Sequence, residues 1–159
     1  MRIVIVCTGN TCRSPMALGL FRKNVNELFS QPELIKVSSC GLQAVRDQPV
    51  SKNAVVAMED YGIDISGHKA LPPEKKQISE ADLLLTMTQS QADKLKAMFP
   101  AKKDQTFTLG EYAGDNNMDI KDPFGADLKT YKKCAADMNH LLQAAARRII
   151  DAVHAQKSK

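Results

Sequence analysis

The sequence predicts an α/β fold in which a four-stranded parallel sheet carries helices on both faces, within a single domain over residues 1–159. Three observations lead there. Short runs of β-branched and aliphatic residues alternate with longer segments of helical periodicity, the pattern of strand–helix–strand crossovers. The run "ADLLLTM" at 81–87 is apolar with little alternation, as a strand covered on both faces requires. A chain of 159 residues, 43% hydrophobic and 25% charged, has enough apolar material for one core.

Residues 2–6, "RIVIV", form the first strand. Residues 15–29 form a helix on which Met16, Leu18, Leu20, Phe21, Val25 and Leu28 fall on overlapping faces, and Pro15 sits just inside its start, where a missing donor costs nothing. The second strand, 34–40, is entered after Gln31-Pro32 and left at Gly41. A helix follows over 51–61, with Ser51 as N-cap and Gly62 as its stop. The third strand is 81–87, followed by a helix over 90–99 that ends at Pro100. "QTFTL" at 105–109 is the fourth strand. From 110 to 127 Gly, Asn, Asp and Pro erase the periodicity, which predicts a long loop. Residues 128–155 are a closing helix rich in alanine and leucine. There is no internal repeat, low-complexity block or linker. Right-handed crossovers bring the carboxyl ends of the strands to one edge, where such sheets bind ligands. Cys7 lies at one of those ends, and the loop 110–127 is expected over the same edge.

Composition excludes several classes. The apolar run after Met1 and Arg2 is too short for a signal peptide, and no segment approaches a membrane span, so the protein is expected to be cytoplasmic with no membrane partner. A net charge of +4 with scattered lysines does not suggest a nucleic-acid partner and favours small anionic groups. The chain is expected to be a monomer. Its four cysteines, Cys7, Cys12, Cys40 and Cys134, lack the paired spacing of a zinc site, and without a secretion signal they are not read as a disulfide frame. A special cysteine here is a nucleophile rather than a staple.

The chemistry concentrates in "VIVCTGNTCRSPMA", 4–17. Cys7, Thr8, Gly9, Asn10, Thr11, Cys12 and Arg13 connect a strand to a helix that begins near Ser14 or Pro15. Such a turn points backbone N–H groups into one concavity, and the helix N-terminus adds partial positive charge. Gly9 and Asn10 are residue types that tolerate positive φ angles wherever such a turn calls for them. Arg13 can bind two oxygens of a phosphate through its planar fork. Amide dipoles and Arg13 favour the thiolate of Cys7, a nucleophile, to which Ser14 can donate a hydrogen bond. The alternative for Cys7 is a small buried residue that ends a strand. The loop is not an ATP-type phosphate loop, since G-x-x-x-x-G-K-[ST] is absent.

"CTGNTCRSP" resembles the C-x5-R-S signature of the low-molecular-weight protein tyrosine phosphatase family, and the likeness extends through "VSSCGL" (37–42), "GIDISGHKA" (62–70), "ADLLLTM" and "DPFG" (122–125), essentially the whole chain. The resemblance implies a phosphatase with no metal or organic cofactor that acts on a phosphorylated protein. In that reading Cys7 attacks phosphorus to give a cysteinyl-phosphate. Arg13 and the loop amides stabilise the phosphoryl oxygens, and Asp122 protonates the leaving group and then activates water. Sequence alone does not choose Asp122 over Asp115, Asp119 or Asp127; the resemblance of "DPF" does. Asn10, Ser39 and His68 match positions that brace the phosphate loop, while His68 is equally a satisfied loop or core histidine.

Thr11, where tyrosine phosphatases of the family usually carry an aliphatic residue, and "DPFG" resemble the family's bacterial protein arginine phosphatases, which implies phosphoarginine as substrate. Phosphotyrosine is the alternative, with Thr11 then a mere isostere. Phe124 forms an aromatic wall suited to a guanidinium or a phenol. Cys12 is placed either to close a reversible disulfide with Cys7, as the resemblance implies, or to pack as a thiol under the loop. Cys40 and Cys134 read as ordinary buried or half-buried residues. Two rival functions are a thiol-dependent arsenate reductase, which would need further cysteines after the third strand where this chain has "LLLTMTQSQADKL", and a non-catalytic phosphate-binding module, which would not need Cys7, Arg13, Ser14 and Asp122 all retained.

Overall fold

The computed structural model describes residues 1–116 and 118–158; residues 117 and 159, which fall in the expected loop and at the end of the expected domain, lie outside them. The strands are β1 (Arg2–Cys7), β2 (Lys36–Gly41), β3 (Leu83–Thr86) and β4 (Thr106–Thr108). The helices are α1 (Arg13–Leu28), α2 (Lys52–Glu59), α3 (Lys75–Ser79), α4 (Gln89–Met98), α5 (Leu109–Ala113) and α6 (Leu128–Lys157). All strands are parallel, in the order β2-β1-β3-β4.

β1 shows why the sheet is covered twice. Ile3, Ile5 and Cys7 join the larger core beneath α1, α2 and α6, whereas Val4 and Val6 join Cys40, Ile78, Leu84 and Leu95 on the other face, under α3 and α4. A period of two with both faces buried produces the continuous apolar run seen in the sequence. The chain leaves β1 for β2 on one side and then crosses to β3 on the other. The carboxyl end of β1 is therefore the point where the winding reverses and a crevice opens. Cys7 occupies that end, paired in register with Gly41 of β2.

The structure corrects several expected boundaries. α1 begins at Arg13, so Pro15 is its third residue, still among the first four positions whose N–H groups have no partner within the helix. β2 starts at Lys36 because residues 32–34 form a 3-10 turn closed by the Ile35 amide on the Pro32 carbonyl. Ser51 stands at the N-cap of α2 but its side chain does not cap; its hydroxyl donates instead to the Tyr131 hydroxyl at 3.0 Å. α3 was not expected. The expected loop 110–127 contains most of α5, which starts in a capping box between Thr108 and Glu111 and stops at Gly114, in the left-handed region at φ 93°. The rest of that segment is pinned. The Ile120 amide donates to the Met87 carbonyl at 2.9 Å, and Asp119 Oδ1 accepts the Gln89 amide at 3.0 Å. Among the described residues no helix is long and apolar enough to cross a membrane.

Candidate active site

The loop between β1 and α1 is held open by its carbonyls. The Cys7 and Thr8 carbonyls accept from the Leu42 and Gln43 amides, Thr11 from the Ser51 amide, Cys12 from the Met16 amide, and Asn10 from His68 Nε2 at 3.0 Å. In a trans peptide the N–H points opposite to the C=O, and no cis bond occurs among the described residues. With five carbonyls drawn outward, the amides of Thr8, Gly9, Thr11, Cys12 and Arg13 are turned the other way. The sixth, that of Asn10, points to Cys7 Sγ at 3.2 Å. The result is a cavity of about 230 Å³ walled by residues 7–13 and closed by Asp122, Phe124 and Gln48. An oxyanion in it would meet a ring of backbone donors beside the N-terminus of α1.

Asn10 is the brace. Its φ of 56° is a left-handed conformation that asparagine tolerates. Its Nδ2 donates to Ser14 Oγ at 2.7 Å and to Ser39 Oγ at 3.0 Å. Its Oδ1 accepts the Leu71 amide at 3.0 Å, which fixes which end of the side chain is oxygen. His68 Nε2, 3.2 Å from that oxygen and 3.0 Å from the Asn10 carbonyl, faces acceptors only and so carries a proton. Burial holds the His68 imidazole below its ordinary pKa, with its hydrogen bond to Asn10 pulling the other way. Ser14 Oγ, having accepted from Asn10, keeps its own hydrogen for Cys7 Sγ, 2.9 Å away. The Cys7 sulfur thus faces two donors.

Arg13 is buried at the first turn of α1. Its Nη1 donates to the Ile120 carbonyl at 2.9 Å, and its Nη2 lies 3.4 Å from Asp122 Oδ2. Of the loop carboxylates left open by the sequence, Asp122 lines this cavity, Asp119 caps α4, and Asp127 caps α6 by accepting the Thr130 amide and hydroxyl, bonds that hold its carboxyl below the usual range. Phe124 stands at the rim, 72% exposed. Thr11 is buried in the wall, its hydroxyl 3.8 Å from Cys12 Sγ.

All four cysteines are free thiols. Cys12 Sγ lies 3.2 Å from the hydroxyl of buried Tyr131, which accepts from Ser51 and so has its own hydrogen for the sulfur. Burial pushes the Cys40 thiol up to about 12, with Cys7 adding to the rise. It does the same for Cys134, against the pull of Arg13. Burial and the Cys12 contact raise Tyr131 to about 12.

Sequence reading missed four contributors. Gly41 is one: a Cβ there would stand 2.7 Å from both the Asn10 nitrogen and the Thr8 oxygen, so glycine lets the loop lie against β2. Gln48 reaches the rim from a turn held by the Asp47 and Ala70 amides, an approach without a sequence signal. Gln91 completes the cap of α4 and also donates to Thr8 Oγ1 at 3.0 Å; "TQSQ" carries the cap but not the reach. Tyr131 anchors Cys12 from a helix 119 residues away in sequence.

A buried thiol beneath a ring of amides, with an arginine and a carboxylate at its mouth, on a four-stranded parallel sheet, defines an α/β protein built to hold an oxyanion against sulfur. Comparison with known proteins agrees. The family described as low molecular weight phosphotyrosine protein phosphatase matches residues 2–158, and the chain belongs to it. A protein-arginine-phosphatase of Geobacillus stearothermophilus is 33% identical over 148 residues, 93% of this chain and 95% of its own. A probable low molecular weight protein-tyrosine-phosphatase of Ralstonia nicotianae is 36% identical over 131 residues, 82% and 83% respectively. Among solved structures, a cysteine-to-serine mutant of an arginine phosphatase with a phosphorylated active-site serine superposes with a TM-score of 0.86 at 32% identity, covering 94% of this chain and 95% of that one.

Proposed function

We propose that this chain is a cysteine-dependent protein phosphatase that removes phosphate from phosphoarginine. The observation that carries the reading is the placement of Cys7 Sγ: it sits in the floor of the amide-walled cavity with the Asn10 N–H and the Ser14 hydroxyl aimed at it. Cys7 attacks phosphorus and the P–N bond breaks. The leaving nitrogen takes a proton from the protonated Asp122 carboxyl and departs as an arginine side chain in its ordinary cationic guanidinium form. Asp122 then draws a proton from water, whose oxygen attacks the cysteinyl-phosphate and releases inorganic phosphate and the Cys7 sulfur. Arg13 and the loop amides hold the equatorial oxygens throughout. The serine-phosphate form of a relative supports a covalent intermediate at this position.

Two points favour phosphoarginine: Thr11 places a hydroxyl in the cavity wall, and relatives at this level of identity include protein-arginine-phosphatases. Phosphotyrosine is the second reading, favoured by the exposed Phe124 ring at the rim and by tyrosine-phosphatase relatives. The enzyme acts as a cytoplasmic monomer on a phosphoprotein, without nucleic acid. The deciding experiment compares kcat/KM on phosphoarginine and phosphotyrosine peptides for the native protein and Thr11→Ile, with Cys7→Ser as blank. A native preference for phosphoarginine that Thr11→Ile moves toward phosphotyrosine is expected. A native preference for phosphotyrosine would replace the first reading with the second.

A further inference from the structure

A second cavity, of about 350 Å³, adjoins the first and shares Thr8, Arg13 and Asp122 with it. From that common rim it runs along the first turns of α4 and the segment 119–122, between Thr88, Ser90 and Gln91 on one side and Lys121 on the other. Its charges are unequally engaged. Asp119 already accepts the Gln89 amide, and Asp122 pairs with Arg13 and accepts the Phe124 amide. Lys94 and Lys121 are exposed and make no ion pair among the described residues. The groove therefore offers two uncommitted ammonium groups beside the cavity that would hold the phosphoryl group.

We propose that this groove receives an Asp or Glu side chain of the substrate protein, next in sequence to the phosphorylated residue, held by Lys94 and Lys121. The inference rests on the phosphatase reading and adds the substrate's sequence context to it. Consecutive Cα atoms are 3.8 Å apart. A substrate whose phosphorylated side chain fills the first cavity therefore has its neighbouring residues at that cavity's mouth, part of whose rim, at Thr8, Arg13 and Asp122, borders the groove. The three cations lining the groove, Arg13, Lys94 and Lys121, outnumber its two carboxylates, Asp119 and Asp122, so an arriving carboxylate meets a net charge of opposite sign and an arriving lysine a net like charge. The gain is that of exposed ion pairs, so it is modest and depends on salt.

The test uses peptides with one phosphorylated residue flanked by Glu, Gln or Lys on either its amino or its carboxyl side, turned over by the native protein and by the Lys94→Gln/Lys121→Gln double variant. At low salt the native protein is expected to favour Glu over Gln at one flank by roughly three- to tenfold in kcat/KM, with Lys below Gln. The difference is expected mainly in KM and should shrink at high salt. In the double variant the Glu preference is expected to vanish. Equal kcat/KM for Glu and Gln at both flanks, or a Glu preference that survives the double substitution, overturns the groove while leaving the phosphatase reading intact. Turnover of none of the peptides by the native protein overturns the phosphatase reading and the groove with it.

Discussion

Asn10→Ala tests whether one side chain holds the cavity in shape. Asn10 makes four side-chain hydrogen bonds: to Ser14 and Ser39 in the interior, and from Leu71 and His68 in a half-buried setting. The two interior bonds are worth about 1 kcal/mol each, and the two that water can partly replace about 0.5 kcal/mol each, which gives roughly 3 kcal/mol. Alanine at a φ of 56° adds about 1 kcal/mol of backbone strain. The expected loss is therefore about 4 kcal/mol, a large share of the 5–15 kcal/mol typical of a domain. Urea unfolding followed by circular dichroism reads it as a lower midpoint at unchanged slope. Asn10→Gly loses the same four bonds without the strain and is expected to be less destabilised than alanine by about 1 kcal/mol. Activity adds an independent reading. Without Asn10, Ser14 Oγ can spend its hydrogen elsewhere and the Asn10 amide is no longer fixed on Cys7 Sγ, so kcat should fall about 10- to 100-fold in both variants under conditions where they remain folded. Variants within 1 kcal/mol of the native protein and within twofold of its kcat would refute the brace.

Two further substitutions probe the surroundings. Gly41→Ala pushes a methyl group against loop backbone at 2.7 Å, so it is expected to cost about 1–3 kcal/mol and to reduce kcat/KM about tenfold or more; near-native kinetics would show that the loop can shift without consequence. Burial lowers the pKa of His68 in the folded protein, so below the unfolded value of about 6.5 the unfolded chain binds more protons than the native one, and stability contributed by neutral His68 is lost as pH falls from there toward the folded pKa. The unfolding midpoint of the native protein is expected to fall between pH 7.5 and pH 5.5 by more than that of His68→Gln, and equal slopes would remove His68 from the account.

How far the sequence could be read depends on whether each signal was local. β1, α1 and α6 were legible because their apolar patterns are contiguous, and the loop that joins β1 to α1 because its residues, Cys7 to Ser14, follow one another in the chain. Pro15 misplaced the start of α1 because proline is acceptable anywhere among the first helical positions, so it bounds the start without fixing it. The long loop hid α5 because five residues carry too little periodicity, although the Thr108–Glu111 capping box was there to be found. Choosing Asp122 needed resemblance because nothing local separates one loop carboxylate from another. What separates them is where each docks: on α4, on α6 or on Arg13. Gly41, Gln48, Gln91 and Tyr131 were missed for the same reason, since each acts across the fold on a loop many residues distant.

The pairing of Arg13 with Asp122 bears on the order of events in the proposed reaction. The Asp122 carboxylate stands beside Arg13 Nη2, where a phosphoryl oxygen would compete for the guanidinium. The two partners differ in freedom: the Arg13 side chain is 5% exposed and held through Nη1 by the Ile120 carbonyl, whereas that of Asp122 is 51% exposed. Ile120 is itself fixed to Met87 at the end of β3. A dianionic phosphoryl group, with more charge and the loop amides as additional donors, therefore takes the guanidinium while the guanidinium stays in place, and the carboxylate is the group that moves. It moves at the rim, where the leaving nitrogen must lie if phosphorus is in line with Cys7 Sγ. In the proposed reaction, substrate arrival thus frees Asp122 from Arg13, and the freed carboxyl takes up a proton from solvent at this exposed rim before it passes one to the leaving nitrogen.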